Sequence, residues 1–518
     1  MNWIITSEVM RQCEEANFAA ALADPLELMR IAGEGCAQEF LRFYAACPQC
    51  RRVVILSGHG NNGGDGIVMA SVLAGCLEQP VVLALVNPNG GLSPSAEYFY
   101  RQLAPGVQCM NAADVVLSAG DVVVDAMLGT GCRAPVREPY AGWINKLNAA
   151  DLPVFAVDVP SGSGADLTVR ADFTAVIGYF KDILFTGDGI ENSGRLRRVE
   201  LPMSIAPSPD ECAAQSYDLQ NFIAGEKHSL PRVIHKYQRG TVLICGGSRD
   251  YIQAPFLSAR SALRSSAGMV FLAVPFAVPP GSGTLSVIPL RVPDDNGNFS
   301  PASLEGLQKV IDRCDVVAAG PGMGRSAVAA GFIESLIKQD LPLVLDADAI
   351  AAVSRMPELL RQRQQPVILT PHRGEAAILA AAYNLILTGE NITDARNLAR
   401  ASGGIILLKG PRTAVAAPDG RVWVNTSGSP VLATAGSGDC LTGLIAAEWA
   451  NKSADRSAVG LSDPQETALN AALRGAFLHG MAGELAEIKS GSWGMIADDL
   501  PELMAAARQK IMRFGDIS

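Results

Sequence analysis

Short apolar segments alternate with helix-length segments twice along this chain, and that alternation limits the possible folds more than any other feature. In the first half the apolar segments predict buried strands at residues 52–56, 80–86, 121–125, 153–158 and 173–177. In the second half they predict strands at 241–245, 269–274, 316–318, 342–345, 366–369 and 404–408, then a hairpin at 413–417 and 421–425. Strands that alternate with helices predict α/β domains with parallel, doubly wound sheets.

The length of the chain predicts more than one domain. A single core rarely serves 518 residues. The alternation is interrupted after residue 201 by a polar stretch that contains Pro202, Pro207 and Pro209. We therefore expect a Rossmann-like domain at residues 1–205, a linker at 206–224 and a second α/β domain at 225–518.

Composition excludes several classes of function. The net charge is -10 and no basic block is present, so no nucleic-acid partner is expected. No apolar run reaches the roughly 20 residues of a membrane span, and the first residues do not resemble a signal peptide, so a cytoplasmic protein is predicted. The 11 cysteines include one isolated CxxC pair, Cys47 and Cys50, and they predict reduced, structural thiols.

Loops that follow the predicted strands carry the unusual residues of the first half. In doubly wound sheets, ligands bind beyond the carboxyl ends of the strands. Three segments fall at that edge, namely SGHGNNGGDG at 57–66, DVVVDAMLGTG at 121–131 and VDVPSG at 157–162. Glycine-rich turns alone are weak evidence, because many turns have this composition. The length and the polar content of the first loop favour a ligand site.

These three segments, together with residues 171–174 and Lys181, closely resemble the NAD(P)H-hydrate epimerase domain. The resemblance implies that potassium is bound by Asn62, Asp125 and Ser161, and oxygen ligands suit such a hard cation. It also implies that Asp158 is the catalytic acid or base. The hydrate itself would be surrounded by Asn61, Asn62, Gly63, Gly64, Asp65, Gly129, Gly131 and Asp158.

A turn of small residues at 432–443 leads directly into an apolar helix and predicts an anion site. Its glycines let the backbone approach a phosphate, and the start of a helix favours negative charge. Asp439 lies in this turn. From the turn alone, two interpretations are equal: an ordinary aspartate in a first helical turn, or a base that deprotonates an attacking hydroxyl.

Four further segments decide between these interpretations, namely GPGMG at 320–324, DADA at 346–349, TPHRGE at 370–375 and KGPRT at 409–413. With the turn, they resemble the NAD(P)H-hydrate dehydratase of the ribokinase-like superfamily. The resemblance implies that Asp439 is catalytic, and that Ala254, Gly322, Gly324, His372 and Asp439 contact the hydrate. The nucleotide would be held by Lys409, Gly410, Pro411, Arg412, Thr413 and Gly438.

The resemblance therefore implies a repair enzyme for hydrated nicotinamide cofactors, with NAD(P)H hydrate and ADP as substrates, and we expect a homo-oligomer. Asp346 and Asp348 have two interpretations, namely a pair of ligands for Mg²⁺ or a helix cap. His372 alone would be a structural histidine, whereas its motif favours a ligand contact. The alternative function is a hydroxyl kinase in the second domain, because related folds share the glycine turn, with a non-catalytic binding module in the first.

Overall fold

The computed structural model describes residues 3–225, 232–276, 286–452 and 463–514. Within these ranges the chain forms two compact units that divide after Ser216. Each unit contains a mainly parallel sheet with helices, and the predicted α/β class is confirmed. No helix in the described ranges has both the length and the apolar composition needed to cross a membrane.

The described strands of the first unit are β1 (Trp3–Ile5), β2 (Arg52–Ser57), β3 (Val81–Leu85), β4 (Val107–Asn111), β5 (Asp121–Ala126), β6 (Val154–Val157), β7 (Phe173–Ile177), β8 (Phe180–Lys181), β9 (Arg195–Val199) and β10 (Cys212–Tyr217). Its helices are α1 (Ser7–Ala19), α2 (Pro25–Tyr44), α3 (Asn61–Cys76), α4 (Pro94–Tyr100), α5 (Tyr140–Ala149) and α6 (Asp188–Asn192).

Seven of these strands form a parallel sheet in the order β4-β3-β2-β5-β6-β7-β9. The five predicted strands of the first half are all present. The edge strands β4 and β9 were not predicted, because each carries exposed or half-exposed polar residues where a buried strand would be apolar. The chain order reverses between β2 and β5, and a crevice for ligands is expected at that point.

The glycine segment after β2 differs from the prediction of a loop through residue 66. Helix α3 begins at Asn61, so most of the segment is helical. Glycines have low helix propensity, but here they are buried and tertiary packing overrides that preference. The residues expected as a linker also contain regular structure, since β10 pairs with β1 and a short helix, α7 (Leu219–Ala224), follows it.

The described strands of the second unit are β11 (Thr241–Cys245), β12 (Met269–Val274), β13 (Ile288–Arg291), β14 (Asp294–Asp295), β15 (Asn298–Phe299), β16 (Val316–Ala319), β17 (Leu343–Leu345), β18 (Val367–Leu369), β19 (Ile405–Leu408), β20 (Ala414–Ala416) and β21 (Val422–Asn425). Its further helices are α8 (Ala254–Ser265), α9 (Pro301–Glu305), α10 (Gln308–Ile311), α11 (Ala327–Ile337), α12 (Asp348–Val353), α13 (Pro357–Arg361), α14 (Arg373–Ala382), α15 (Asn391–Ser402), α16 (Ser437–Ala450), α17 (Pro464–Ser490) and α18 (Leu500–Phe514).

The main sheet of the second unit runs β13-β12-β11-β16-β17-β18-β19-β20-β21. The strands are parallel from β13 to β19, and β20 and β21 then form the predicted antiparallel hairpin. Helix α16 packs closely on α8, where a side chain at Gly443 would overlap the backbone of Ser258. This packing fixes the start of α16 near the carboxyl ends of the central strands.

Candidate active sites

The first turn of α3 lies directly against the backbone of neighbouring loops. A Cβ added at Gly58 would overlap the carbonyl oxygen of Met127, and one added at Gly63 would overlap the carbonyl oxygen of Gly58. Gly64 is similarly enclosed, since its Cβ would be 2.5 Å from the Met29 Cε atom. Close approach of the backbone therefore requires Gly58 and Gly63, whereas the Met29 side chain that encloses Gly64 is flexible.

This packing predicts a stability effect within one helix. Gly63→Ala should cost about 1–3 kcal/mol of unfolding free energy, because the added methyl group overlaps backbone that cannot move aside easily. Gly75→Ala is the matched control, since Gly75 lies in the same helix with open space around it. Denaturant unfolding of both variants measures the difference. Equal stability of the two variants would contradict the packing described here.

Asn62 and Ser161 both contact the backbone of Leu128, and Asp125 joins them through Ser161. The Asn62 amide donates to the Leu128 carbonyl at 3.2 Å, and the Ser161 hydroxyl accepts from the Leu128 N–H at 2.8 Å. Asp125 accepts from both the N–H and the hydroxyl of Ser161. The Oδ1 atom of Asn62 is buried without a hydrogen-bond partner among the described residues.

Asp125 is fully buried at the end of β5. Burial raises the pKa of its carboxyl to about 6, although hydrogen bonds from Ser161 and Met127 oppose that shift. The Asp125 carboxylate bonds Ser161, and both Ser161 and Asn62 contact Leu128. With the orphaned Asn62 oxygen, these groups form an oxygen-rich cluster that would gain stability from a bound cation.

Asp158 follows β6 and is held from two directions. Its Oδ1 atom accepts from the Ile177 N–H at 3.0 Å and from the Lys181 ammonium, and Lys181 is only 1% exposed. The backbone of Asp158 has a φ of 64°, which is uncommon for a residue other than glycine. The ion pair and the backbone geometry fix the carboxylate at the carboxyl edge of the sheet.

Two more carboxyl groups lie within electrostatic reach of Asp158. Burial raises the pKa of Asp65 well above its usual range, with a further contribution from Asp158. Burial also raises the pKa of Glu14, although Lys181 opposes the shift. Glu14 was not predicted as a site residue, because no motif distinguishes it from other glutamates on amphipathic helices. Its proximity to Asp158 arises only from folding.

The remaining residues predicted around the hydrate have fewer contacts. Gly129 faces Asn62, since its Cβ would be 3.4 Å from the Asn62 Cβ. Gly131 has open space beside it, and Asn61 is exposed at the start of α3. His59, which has no predicted role, contacts Tyr140 at 2.8 Å. The structure therefore gathers the three predicted potassium ligands at Leu128, whereas Asn61 and Gly131 remain predictions without a contact.

In the second unit the small-residue turn forms the start of α16. Gly436 adopts a left-handed conformation with a φ of 90°, and the helix then begins at Ser437. A Cβ at Gly438 would be 3.4 Å from the Lys409 Nζ atom, so these two residues, both predicted to bind the nucleotide, lie next to each other. The open end of the helix and the ammonium group together favour an anion at this place.

Asp439 lies in the first turn of α16, and none of the described residues donates a hydrogen bond to its carboxylate. Burial raises its pKa to about 7, and Asp346 adds to the shift while Lys409 opposes it. A carboxyl with a pKa near neutrality can accept a proton more readily than an exposed aspartate. The position and the pKa both suit a general base.

Asp346 and Asp348 contact different protein groups. Asp346 accepts from Lys409 Nζ at 2.7 Å and from the Thr442 hydroxyl at 2.7 Å. Asp348 instead accepts from the Gly324 N–H at 2.9 Å and pairs with Arg325. No cluster of three or more His, Cys, Asp or Glu side chains suited to a metal occurs in the described part of the chain.

His372 caps helix α14. Its Nδ1 atom accepts from the Gly374 N–H at 2.9 Å, while Glu375 accepts from the His372 N–H. The side chain is 58% exposed, so one face of the imidazole stays accessible while it caps the helix. The structural role considered for this histidine is therefore present, and contact with the hydrate stays a prediction.

The predicted nucleotide strip at 409–413 is a tight turn between β19 and β20. Arg412 has a φ of 57°, and the Thr413 hydroxyl donates to the Gly410 carbonyl at 3.0 Å. Asn391 also donates to the Pro411 carbonyl at 3.0 Å. These hydrogen bonds hold the backbone of the strip in one conformation, which suits binding through backbone groups.

Two loops after central strands approach the start of α8. A Cβ at Gly322 would be 3.2 Å from the Ala254 Cβ, so these two predicted contacts of the hydrate are neighbours. Gly322 and Gly324 both have positive φ values, 64° and 80°. Gly322 is closely packed, since its Cβ would be 2.8 Å from the Tyr251 carbonyl oxygen, whereas Gly324 has its nearest neighbour at 3.8 Å. Both lie beside the reversal of chain order between β11 and β16, where a ligand is expected.

His479 was missed in the sequence, since it lies in the long apolar helix α17 without a motif. Its Nε2 atom is 3.1 Å from the Ser437 carbonyl oxygen, which can only accept, so Nε2 carries the proton. Burial lowers the pKa of His479 to about 4 and keeps the ring neutral. His479 therefore supports the first turn of α16 without adding charge.

Both units match known families. A family model described as NAD(P)H-hydrate dehydratase matches residues 242–505, and one described as YjeF-related protein N-terminus matches residues 25–182. Proteins named bifunctional NAD(P)H-hydrate repair enzyme Nnr are similar over nearly the whole chain. That of Moorella thermoacetica is 31% identical over 97% of this chain and 96% of its own length. That of Escherichia coli is 28% identical over 92% and 88%.

Among solved structures, the ADP/ATP-dependent NAD(P)H-hydrate dehydratase of Bacillus subtilis, co-crystallized with ATP/Mg²⁺, is 26% identical. It covers 57% of this chain and 98% of its own, with a TM-score of 0.45. The family models and the full-length relatives agree on both halves of the chain. The chain therefore belongs to the family of bifunctional NAD(P)H-hydrate repair enzymes.

Proposed function

We propose that this chain repairs hydrated nicotinamide cofactors in two steps. The first unit interconverts the R and S forms of NAD(P)H hydrate, and the second unit dehydrates the S form while ADP is converted to AMP and phosphate. The observation that carries the proposal is the half-buried Asp439 carboxyl at the start of α16, whose pKa is raised to about 7 and whose neighbour Gly438 packs against Lys409. Membership of the family supports both steps.

Epimerisation needs no redox partner. The hydroxyl of the hydrate is on a carbon bonded to the ring nitrogen, so the C–O bond can break while the nitrogen lone pair forms an iminium. Addition of water to the other face and loss of a proton then give the second epimer. In this proposal Asp158 exchanges that proton, and its ion pair with Lys181 keeps the carboxylate ready to accept it.

Potassium belongs to the same proposal, and the oxygen cluster at Leu128 fits it. Asn62 offers an unpartnered oxygen, and Asp125 and Ser161 supply further oxygens in a buried place. A bound cation would supply positive charge next to the glycine segment. The residues of the chain would hold the ion and orient the hydrate, while Asp158 moves the proton.

Potassium binding predicts a variant effect. Replacing K⁺ by tetramethylammonium should lower the melting temperature of the wild-type protein and slow epimerisation, because Asp125 would be left buried without a cation. Asn62→Leu should remove both effects, because it removes the orphaned oxygen. Melting temperatures and epimer ratios in the two salts provide the measurement. An Asn62→Leu variant that still responds to K⁺ would argue against this site.

In this proposal, dehydration proceeds by transfer of a phosphoryl group from ADP to the hydrate, followed by elimination of phosphate. Asp439 takes the proton of the hydrate hydroxyl, whose oxygen attacks the terminal phosphorus of ADP and releases AMP. The backbone N–H groups at the start of α16 and the Lys409 ammonium stabilise the charge on the transferred group. The phosphorylated hydrate then loses phosphate from one carbon and a proton from the next, which restores the double bond of NAD(P)H.

The choice of ADP as donor, which rests on the resemblance, also belongs to this proposal. So do a homo-oligomer, a cytoplasmic location and the absence of nucleic-acid partners; the last two rest on the sequence, which has no long apolar run and no basic block. Mg²⁺ would accompany the nucleotide, since Asp346 and Asp348 are engaged with protein groups. The Lys409–Thr413 strip and Gly438 would bind the nucleotide, while Ala254, Gly322, Gly324 and His372 would border the hydrate.

Incubation with S-NADH hydrate and either ADP or ATP tests the function. The proposal expects NADH absorbance to appear with ADP, together with an equal amount of AMP. The hydroxyl-kinase alternative instead expects a phosphorylated hydrate that accumulates without NADH. That outcome, or no reaction with either nucleotide, would overturn the proposal.

A further inference from the structure

Asp346 connects two elements of the dehydratase site through its two carboxylate oxygens. It follows β17 and is only 1% exposed. Its Oδ1 atom accepts from Lys409 at 2.7 Å, and its Oδ2 atom accepts from the Thr442 hydroxyl at 2.7 Å. Lys409 follows β19, whereas Thr442 lies in α16. One buried carboxylate thus ties the end of a strand to the helix that carries Asp439.

The ion pair lies directly beneath the first turn of α16. A Cβ at Gly438 would be 3.4 Å from Lys409 Nζ and 3.8 Å from Asp346 Oδ2. The Thr442 hydroxyl is also 3.1 Å from the Gly438 carbonyl. Glu375 also lies 3.8 Å from the ammonium. Lys409 therefore forms ion pairs with two carboxylates next to the backbone that would meet a phosphate.

Four charged groups act on Asp439 in addition to its burial. Asp346 raises its pKa most, Lys409 lowers it, and Asp348 and Glu375 raise it further. Burial alone would raise the pKa of Asp346, but Lys409 and the hydrogen bond from Thr442 keep it lowered and therefore ionised. Asp346 is thus a permanent negative charge that both opposes ionisation of Asp439 and occupies the ammonium of Lys409.

We propose that Asp346 is a positioning residue for dehydration, which holds Lys409 and Thr442 under α16 and so keeps Asp439 a proton acceptor suited to neutral pH. Without Asp346, the Lys409 ammonium would be free to pair with Asp439 and weaken it as a base. The inference rests on the proposed function, because it assigns Asp346 a part in the proton transfer by Asp439.

The pH dependence of dehydration tests this role in the full chain, with S-NADH hydrate and saturating ADP. The wild-type rate should rise with pH through about 7, as Asp439 loses its proton. This rise is the acidic limb of the pH–rate profile. In Asp346→Asn the limb should move to lower pH by about one unit, because a nearby negative charge is lost and Lys409 is no longer neutralised. In Lys409→Met the limb should move to higher pH.

Two comparisons separate positioning from general damage. Asp348→Asn should shift the limb less than Asp346→Asn, because Asp348 acts on Asp439 more weakly and is paired with Arg325. Single variants of a buried ion pair can unfold. If Asp346→Asn shows no folded melting transition, the double variant Asp346→Asn/Lys409→Met is compared with Lys409→Met, and its limb should lie at lower pH.

A loss of rate at every pH without movement of the limb would overturn the inference, because that result means that Asp346 serves folding alone. Equal limbs in the double variant and Lys409→Met would overturn it too. Failure of the proposed function is distinguishable, since the wild-type protein would then form no NADH at any pH.

Discussion

Asp439→Asn should abolish dehydration and leave epimerisation unchanged. Asparagine keeps the shape of the side chain but cannot accept the proton of the hydrate hydroxyl, and removal of a general base lowers rates by about 10²–10⁴-fold. Release of AMP and growth of NADH absorbance, both from S hydrate and ADP, provide the measurement. The loss should lie in kcat, because the proposed nucleotide contacts of Gly438 and the 409–413 strip are unchanged in this variant.

The matched control for this variant is Asp312→Asn, at an exposed aspartate in the same unit. It should retain full activity. If Asp439→Asn kept its rate, or if it lost epimerisation in parallel, Asp439 would not be the base of a separate dehydration site.

Asp158→Asn should abolish epimerisation and leave dehydration of the S form unchanged. Asparagine tolerates the positive φ of this position, so the backbone should be preserved while the exchangeable carboxylate is lost. We expect a fall of about 10²–10⁴-fold in the rate of interconversion. Chromatographic separation of the R and S forms over time gives that rate, once interconversion without protein has been subtracted.

Loss of the carboxylate also leaves Lys181 buried without its partner, so the melting temperature of Asp158→Asn must be recorded. Asp151→Asn, at an exposed position in the same unit, serves as the control. Unchanged epimerisation in a folded Asp158→Asn protein would mean that another group exchanges the proton. Asp65 and Glu14, which interact electrostatically with Asp158, would be the next candidates.

The buried strands could be predicted because their signal is local. The predicted apolar segments 173–177 and 241–245 have the same bounds as β7 and β11. The start of α3 could not be predicted, since glycine content favours a loop, whereas the tertiary packing that surrounds these buried glycines is not visible in the sequence. Edge strands such as β4 lack the apolar pattern altogether.

The residues of the candidate sites likewise include some that could be predicted from motifs and some that could not. Motifs placed Asp125, Asp158 and Asp439 at strand ends or a helix start, because each has a glycine within four residues in its motif. Glu14 and His479 carry no such mark, and they approach the sites only through helices α1 and α17. The ion pair of Asp346 with Lys409 joins residues 63 positions apart, which no spacing in the sequence indicates.

We propose that two separate sites on one chain act in sequence on a released hydrate. Supplying R-NADH hydrate and ADP to wild-type protein, to Asp158→Asn, to Asp439→Asn and to a mixture of the two variants tests this sequence of steps. We expect NADH with wild-type protein, only background with each variant alone, and recovery of NADH formation in the mixture, because each variant supplies the step that the other lacks. A mixture that stays at background while both variants remain folded would contradict it.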